Sequence, residues 1–190
     1  MTAVISPSGA VLHHRAQWTT TPSEEVDAKA VRILLKKECR VEENRQFLKH
    51  RNIRAFLRAI SHTAGGGVDY KHGAVKGKRN DPWRFSDFST HPGAGEDGVT
   101  TAAGLYQISL EVWRDNGAKM GLADFTQETQ DLIAVELLRC MGVLDKLQVG
   151  DAGAVLVQAS MHWPSLPKTP LDPTYDSFIE RYQYYGSKLS

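Results

Sequence analysis

Residues 56–67 read Phe56-Leu57-Arg58-Ala59-Ile60-Ser61-His62-Thr63-Ala64-Gly65-Gly66-Gly67, and the character of the chain changes within them. Upstream, Phe47, Leu48, Ile53, Phe56, Leu57 and Ile60 recur at helical spacing, so a helix is expected to run up to about Ser61. The triple glycine ends it, because glycine reaches left-handed backbone without steric cost. Over residues 65–100, glycines, turn residues and short apolar pieces replace the helical period, with Trp83, Phe85 and Phe88 as aromatic anchors. This stretch reads as a small loop-and-strand lobe. Helical spacing returns from about Thr101, where Leu105, Ile108 and Val112 share a side up to Asn116-Gly117.

Working outward, Thr21-Pro22-Ser23-Glu24 is a capping box with proline at the first helical position. The helix it opens carries Val26, Ala30, Ile33 and Leu34 on one face and is expected to reach about Arg40. Toward the C-terminus, Asp124 or Thr126 can cap a helix with Leu132, Ile133, Leu137 and Met141 on its apolar face. Gly150-Asp151 precedes a short helix with Val155, Leu156 and Ala159. Pro164 takes the chain out of helix at Trp163. After a proline-rich crossing, Tyr175, Phe178, Ile179, Tyr182 and Tyr185 mark a last helix. The expected fold is α+β, mainly helical, with a small β lobe inserted between helices. Residues 1–45 read as an N-terminal extension with a helix, and residues 46–190 as the main domain.

The 190 residues are 41% hydrophobic and 24% charged, which excludes a disordered or rod-like chain. Lys and Arg number 23 against 22 Asp and Glu, so overall charge does not mark a nucleic-acid binder. Lys71, His72, Lys76, Lys78 and Arg79 form a basic loop, read as a solvated loop or, alternatively, as a groove edge for an anionic polymer. Two cysteines, Cys39 and Cys140, are too few for a disulfide scaffold and are expected to be buried, reduced thiols. No apolar run approaches the roughly 18 residues of a membrane span. The opening residues Met1 to Pro7 lack the pattern of a signal peptide, so synthesis in the cytoplasm and later export or release are expected. His13-His14 reads as an incidental pair rather than a metal site.

No phosphate loop, dinucleotide fingerprint, paired Cys-x-x-Cys, helical His-Glu-x-x-His or Gly-x-Ser-x-Gly elbow occurs. No metal and no cofactor are expected. The informative segments are Phe85-Ser86-Asp87-Phe88-Ser89-Thr90-His91-Pro92 and Thr100-Thr101-Ala102-Ala103-Gly104-Leu105-Tyr106-Gln107. Two more follow them: Leu122-Ala123-Asp124-Phe125-Thr126 with Gln130-Asp131, and Trp163-Pro164-Ser165-Leu166-Pro167. In this order, over roughly residues 53–186, they resemble the lambda phage endolysin family of muramidases. Ala103-Gly104-Leu105-Tyr106-Gln107-Ile108 is also similar to a segment of the broader lytic transglycosylases.

The resemblance implies a lysozyme-like fold with a cleft between a helical lobe and a small β lobe. It implies cleavage of the β-1,4 bond between N-acetylmuramic acid and N-acetylglucosamine in peptidoglycan, usually with a 1,6-anhydro product. That chemistry needs one carboxylic acid, which protonates the glycosidic oxygen and then takes the proton of the muramic C6 hydroxyl as it attacks the anomeric carbon. A second, nucleophilic carboxylate is not required, unlike the usual pair. In the family pattern the acid is a Glu directly after the helix that ends near Ser61, and this chain carries Ala64 there. A methyl group neither gives nor takes a proton, so the chain as written is expected to be inactive.

Three accounts follow: an inactivating substitution in an active enzyme, which the intact surrounding motifs favour; a catalytically silent peptidoglycan-binding module; or another carboxylate serving, with Asp69, Asp87, Glu96 and Asp97 as candidates. By the same resemblance Thr101 would bond the acid or a sugar acetamido group. Tyr106 and Gln107 would lie at the cleft floor, and Tyr175 would line the cleft. Trp163 reads as core and His91-Pro92 as a structural turn. The expected partner is the glycan strand of peptidoglycan, met by a monomer in the periplasm or cell wall, with neither nucleic acid nor membrane involved. The setting is a phage lysin or a secreted antibacterial effector, and the latter would bring an immunity protein.

Overall fold

The computed structural model describes residues 4–5, 11–12 and 22–189, with side chains from residue 27. His13-His14 and Thr21 lie outside the described residues. The chain divides into two compact units, Met1–Lys36 and Lys37–Ser190. In the first, β1 (Val4–Ile5) and β2 (Val11–Leu12) pair antiparallel, with Val4 opposite Leu12 and Ile5 opposite Val11. The first helix, α1, runs from Pro22 to Lys49 without the break expected near Arg40. The sequence holds neither glycine nor proline between residues 23 and 49, so nothing stops it until His50 adopts extended backbone. Phe47 and Leu48 therefore belong to α1 and not to the helix that follows.

The second unit is built on α2 (Arg51–Ala64), α3 (Leu110–Met120), α4 (Gln127–Cys140), α5 (Leu144–Gln148), α6 (Ala152–Ala159) and α7 (Tyr175–Lys188). The α2 helix is central: Ile53, Phe56, Leu57 and Ile60 turn one face wholly into the core. Phe56 meets Phe178 and Tyr182 of α7 edge-on, with ring centroids 5.4 and 6.3 Å apart. Burying side chains of this size contributes about 1.5–3 kcal/mol each. Helix starts follow cap chemistry: Ser109, Thr126 and Asp151 accept the amides of Val112, Thr129 and Ala154. Trp163 is buried, and its indole N–H donates to the Tyr106 carbonyl at 3.0 Å.

The second half of α1 is held by charge. Glu136 of α4 is fully buried and accepts from Arg40 Nε at 2.9 Å and from Asn44 Nδ2 at 2.9 Å. These bonds hold the Glu136 carboxylate below its usual range against a burial penalty that acts the other way.

Three expectations are corrected. Residues 65–109 hold no strand; three isolated antiparallel bridges, Tyr70–Arg84, Lys71–Ala103 and Ala103–Ile108, are all that forms there. Glycines 73, 93 and 98 take positive φ, and Asp81 and Asp97 bond nearby amides, so the backbone turns before a ladder can extend. Second, helix does not resume at Thr101. Gly104 and Gln107 are left-handed, and Ala103 and Ile108 exchange both backbone hydrogen bonds, so α3 starts only at Leu110. It then runs past Asn116-Gly117 to Met120. Third, Cys39 and Cys140 are exposed and unpaired, one on the outer face of α1 and one at the last residue of α4. No helix among the described residues is long and apolar enough to cross a membrane.

Candidate active site

Opposite its core face, α2 presents Arg54, Arg58, Ser61, His62 and then Gly65 to an open cleft of about 760 Å³. These residues succeed one another at three- and four-residue steps, so one helix forms a continuous wall about 16 Å long. The rest of the lining comes from Leu48 of α1, Leu57 of α2, Gly66 and Gly67, Tyr70 and Lys76, Leu105 and Tyr106, Gln127 and Asp131 of α4, and Tyr185 of α7.

Ala64, half-buried and not itself a lining residue, lies between the lining residues His62 and Gly65. Gly65 caps α2 in the left-handed region at φ 70°. At Gly66 a Cβ would lie 2.4 Å from the Gly104 carbonyl oxygen and 2.5 Å from that of Leu105. Only glycine permits that approach, which brings the end of α2 against the Gly104-Leu105 turn. Gln130, fully buried, fastens the same junction: it accepts from Leu105 N–H at 2.8 Å and donates to the Val68 and Phe125 carbonyls at 3.0 and 2.9 Å. The carbon at position 64 is thus held on fixed backbone at the cleft rim.

Across the cleft, the Tyr106 hydroxyl donates to Asp131 Oδ1 at 2.5 Å. Burial pushes the Asp131 carboxyl up, with the Tyr106 bond and the Arg58 charge pulling the other way. Tyr106 is pushed up by its own burial and by Asp131. His62 Nδ1 meets the Tyr185 hydroxyl at 3.1 Å, and its pKa is lowered by desolvation and then by the charges of Arg181 and Lys76.

Of the positions read from sequence, Tyr106 lines the cleft and Ala64 sits between two residues that do. Thr101, Gln107 and Tyr175 are not among the lining residues. Thr101 Oγ1 accepts the Leu110 amide at 3.0 Å, and Gln107 Nε2 donates to the Gly104 carbonyl at 3.0 Å. Tyr175 starts α7 and lies against Gly153, where a Cβ would stand 2.7 Å from its hydroxyl. Asp69, Asp87, Glu96 and Asp97 do not line the cleft either. Asp69 is paired with Arg84 at 2.5 Å. Asp97, bonded to Val99 and Thr100, is held down to about 2 and stays ionised. Sequence reasoning missed Asp131, the carboxyl that does line the cleft, along with Arg54 and Arg58. Asp131 was visible in the Gln130-Asp131 pair but had no stated role, and the two arginines were legible as a polar face at helical spacing.

A helical wall ending in a glycine elbow is faced across an open groove by buried Tyr106 and half-buried Asp131. The Endolysin family profile matches residues 54–189, and the chain belongs to that family. It is 33% identical over 135 residues to the endolysin of Escherichia phage P2, covering 62% of this chain and 81% of that protein. It is 28% identical over 112 residues to the endolysin of Escherichia phage lambda, covering 55% of this chain and 71% of that protein. Among solved structures, lambda lysozyme complexed with a chitohexasaccharide superposes with a TM-score of 0.61 at 24% identity, covering 72% of this chain and 94% of that one. A second structure, lysozyme from bacteriophage lambda, gives 0.54 at 22% identity, over 73% of this chain and 92% of that one. The fold is therefore that of lambda lysozyme.

Proposed function

We propose that this chain is a peptidoglycan-degrading endolysin of the muramidase type whose cleft receives the glycan strand and whose general-acid position is occupied by Ala64. The observation that carries this reading is the seat of residue 64: the end of a packed helix, fixed by the Gly65-Gly66 elbow, at the rim of the cleft. The expected bond is the β-1,4 link from N-acetylmuramic acid to N-acetylglucosamine, and the expected product is the 1,6-anhydro form. A carboxyl at position 64 would be partly desolvated, which favours the protonated state it needs in order to donate. After the glycosidic bond breaks, the same carboxylate would take the C6 hydroxyl proton. Ring closure then balances the reaction without water. Tyr106 and Asp131 would face the sugars from the opposite wall, while Thr101 and Gln107 support the return of the chain to α3. The site of action is the cell wall, and partners beyond the glycan are not required by the chemistry.

The silent-binder reading differs from this one only in the history of position 64, because the cleft is complete without the acid. Ala64→Glu separates the two. The chain as it stands should release no detectable muropeptides from purified walls, since general-acid catalysis supplies about 10²–10⁴ of rate. Ala64→Glu should release anhydromuropeptides, recognised by mass because they lack one water. A folded Ala64→Glu protein that releases nothing overturns the enzyme reading and leaves the binder. Reducing-end products would keep the glycosidase and change the mechanism to hydrolysis. Wall lysis by the unaltered chain, lost in Asp131→Asn, would move the acid to the cleft carboxyl.

A further inference from the structure

The cleft is more cationic than a neutral polysaccharide requires. Its lining holds Arg54, Arg58 and Lys76 against one carboxyl, Asp131. Among the other described arginines, Arg40, Arg45, Arg84 and Arg139 pair with Glu136, Glu128, Asp69 and Glu43, while Arg32, Arg51, Arg79, Arg114 and Arg181 meet no carboxylate; what sets Arg54 and Arg58 apart is their place on the cleft wall. Arg54 and Arg58 meet no carboxylate at salt-bridge distance among the described residues, and both are exposed. The α2 sequence contains no acidic residue to balance them. Like charges at i and i+4 disfavour the helix that carries them, and neither side chain packs into the core. The fold has no use for this pair, while its geometry suits a ligand lying along α2. Arg58 is about 9 Å and Arg54 about 15 Å of helical rise from Ala64. Both thus sit beyond the reacting bond, on the same wall. Asp131 does not cancel their charge, being bound to Tyr106 and pushed toward its neutral form by burial.

We propose that Arg54 and Arg58 form an anion-recognition strip in the cleft that takes the free carboxylates of peptide stems borne by the glycan, so that the chain prefers peptide-bearing strands to naked N-acetylhexosamine polymers. The inference rests on the glycan-cleft reading given above and adds the part of the substrate that is read. Guanidinium groups suit the task because their planar fork matches a carboxylate in two hydrogen bonds.

The test uses the full chain, whose Ala64 permits equilibrium binding without turnover. Three probes of equal sugar number are titrated by calorimetry: peptidoglycan fragments with their stems, the same fragments with the free stem carboxyls converted to amides, and the N-acetylglucosamine hexamer. The unaltered chain should bind the stem-bearing fragment more tightly than the other two, with the advantage fading as salt rises. In Arg54→Gln/Arg58→Gln the stem-bearing fragment should lose about tenfold more affinity than the fragment with amidated stems, the scale of two exposed ion pairs. Arg54→Lys/Arg58→Lys should lose the part of the advantage that needs the guanidinium fork and keep a salt-sensitive remainder from charge alone, falling between the parent and the Gln pair. Equal loss for all three probes, or no loss, overturns the inference while the glycan-cleft reading stands. No binding of any probe by the unaltered chain overturns both. Binding of a mixed-sequence oligonucleotide tighter than the stem-bearing fragment also overturns it, making the strip a general polyanion site.

Discussion

Gln130→Leu should loosen the junction on which residue 64 is carried. The substitution roughly preserves side-chain volume, so cavity formation contributes little. What it removes is three hydrogen bonds: from the Leu105 amide at 2.8 Å, and to the Val68 and Phe125 carbonyls at 3.0 and 2.9 Å. Each is a net contribution of about 1 kcal/mol, so the sum is about 3 kcal/mol. For a chain of this size about 1 kcal/mol moves the melting temperature by roughly 2–4 °C, so a fall of roughly 6–12 °C is expected. Differential scanning calorimetry or circular dichroism at 222 nm reads it directly. Gln130→Glu should be at least as damaging, because a carboxylate keeps the Leu105 bond and sets a negative oxygen against two carbonyls. A Gln130→Leu protein melting within about 2 °C of its parent would refute the reasoning, since it would mean that the side chain fills space and does not tie segments together.

Other outcomes follow from the same region. Gly66→Ala should destabilise by about 3 kcal/mol, because its methyl would meet backbone oxygens and not a flexible side chain. Gly65→Asn, with nothing within 4 Å and a residue that accepts left-handed backbone, should cost under about 1 kcal/mol, and urea unfolding of the pair compares them. Stability should also fall with acid through His91. Burial lowers the pKa of its ring below the ordinary 6.5 and the Lys71 charge adds to this, against the Ile108 carbonyl 3.0 Å from Nε2, which raises it; Nδ1 accepts from Gly93 N–H at 3.1 Å. As pH drops below about 6.5 the unfolded chain takes the proton first, so stability declines there and levels off once the folded pKa is passed. The decline should be reduced in His91→Gln, measured by melts between pH 7.5 and 5.

The helices of the second unit were readable where a cap and an apolar stripe agreed, as at Thr126 with Leu132 and Ile133, or at Asp151 with Val155 and Leu156. Residues 101–109 misled because Leu105 and Ile108 mimic helical spacing while Gly104 and Gln107 turn the backbone left-handed. A period of three cannot distinguish a helix turn from two successive tight turns. The β lobe failed for a related reason: aromatic anchors at Trp83 and Phe85 suggest strand, yet the bridges they flank stay single. At the site, the end of α2 was legible through Gly65-Gly66-Gly67, while position 64 itself was singled out only by the family resemblance. Asp131 was not legible, since its meeting with Tyr106 joins residues 25 apart and depends on how α4 lies against the 104–107 turn. Arg54 and Arg58 stood in plain view, but a pair of exposed arginines means something only once the groove beside them is known.

The buried carboxylate of Glu136 draws a border for the second unit that apolar patterning does not. Its partners Arg40 and Asn44 lie upstream of residue 46, where the sequence alone suggested that the main domain begins. A shorter chain starting there would keep every residue of the cleft but strip Glu136 of both partners and of the helix they belong to. Replacing Arg40 alone, with α1 left in place over the carboxylate, costs about 3–5 kcal/mol, a large share of the roughly 5–15 kcal/mol that holds an ordinary domain together. Whatever is fused ahead of this fold, in the laboratory or by gene shuffling, inherits the last three turns of α1 as part of the enzyme's own body.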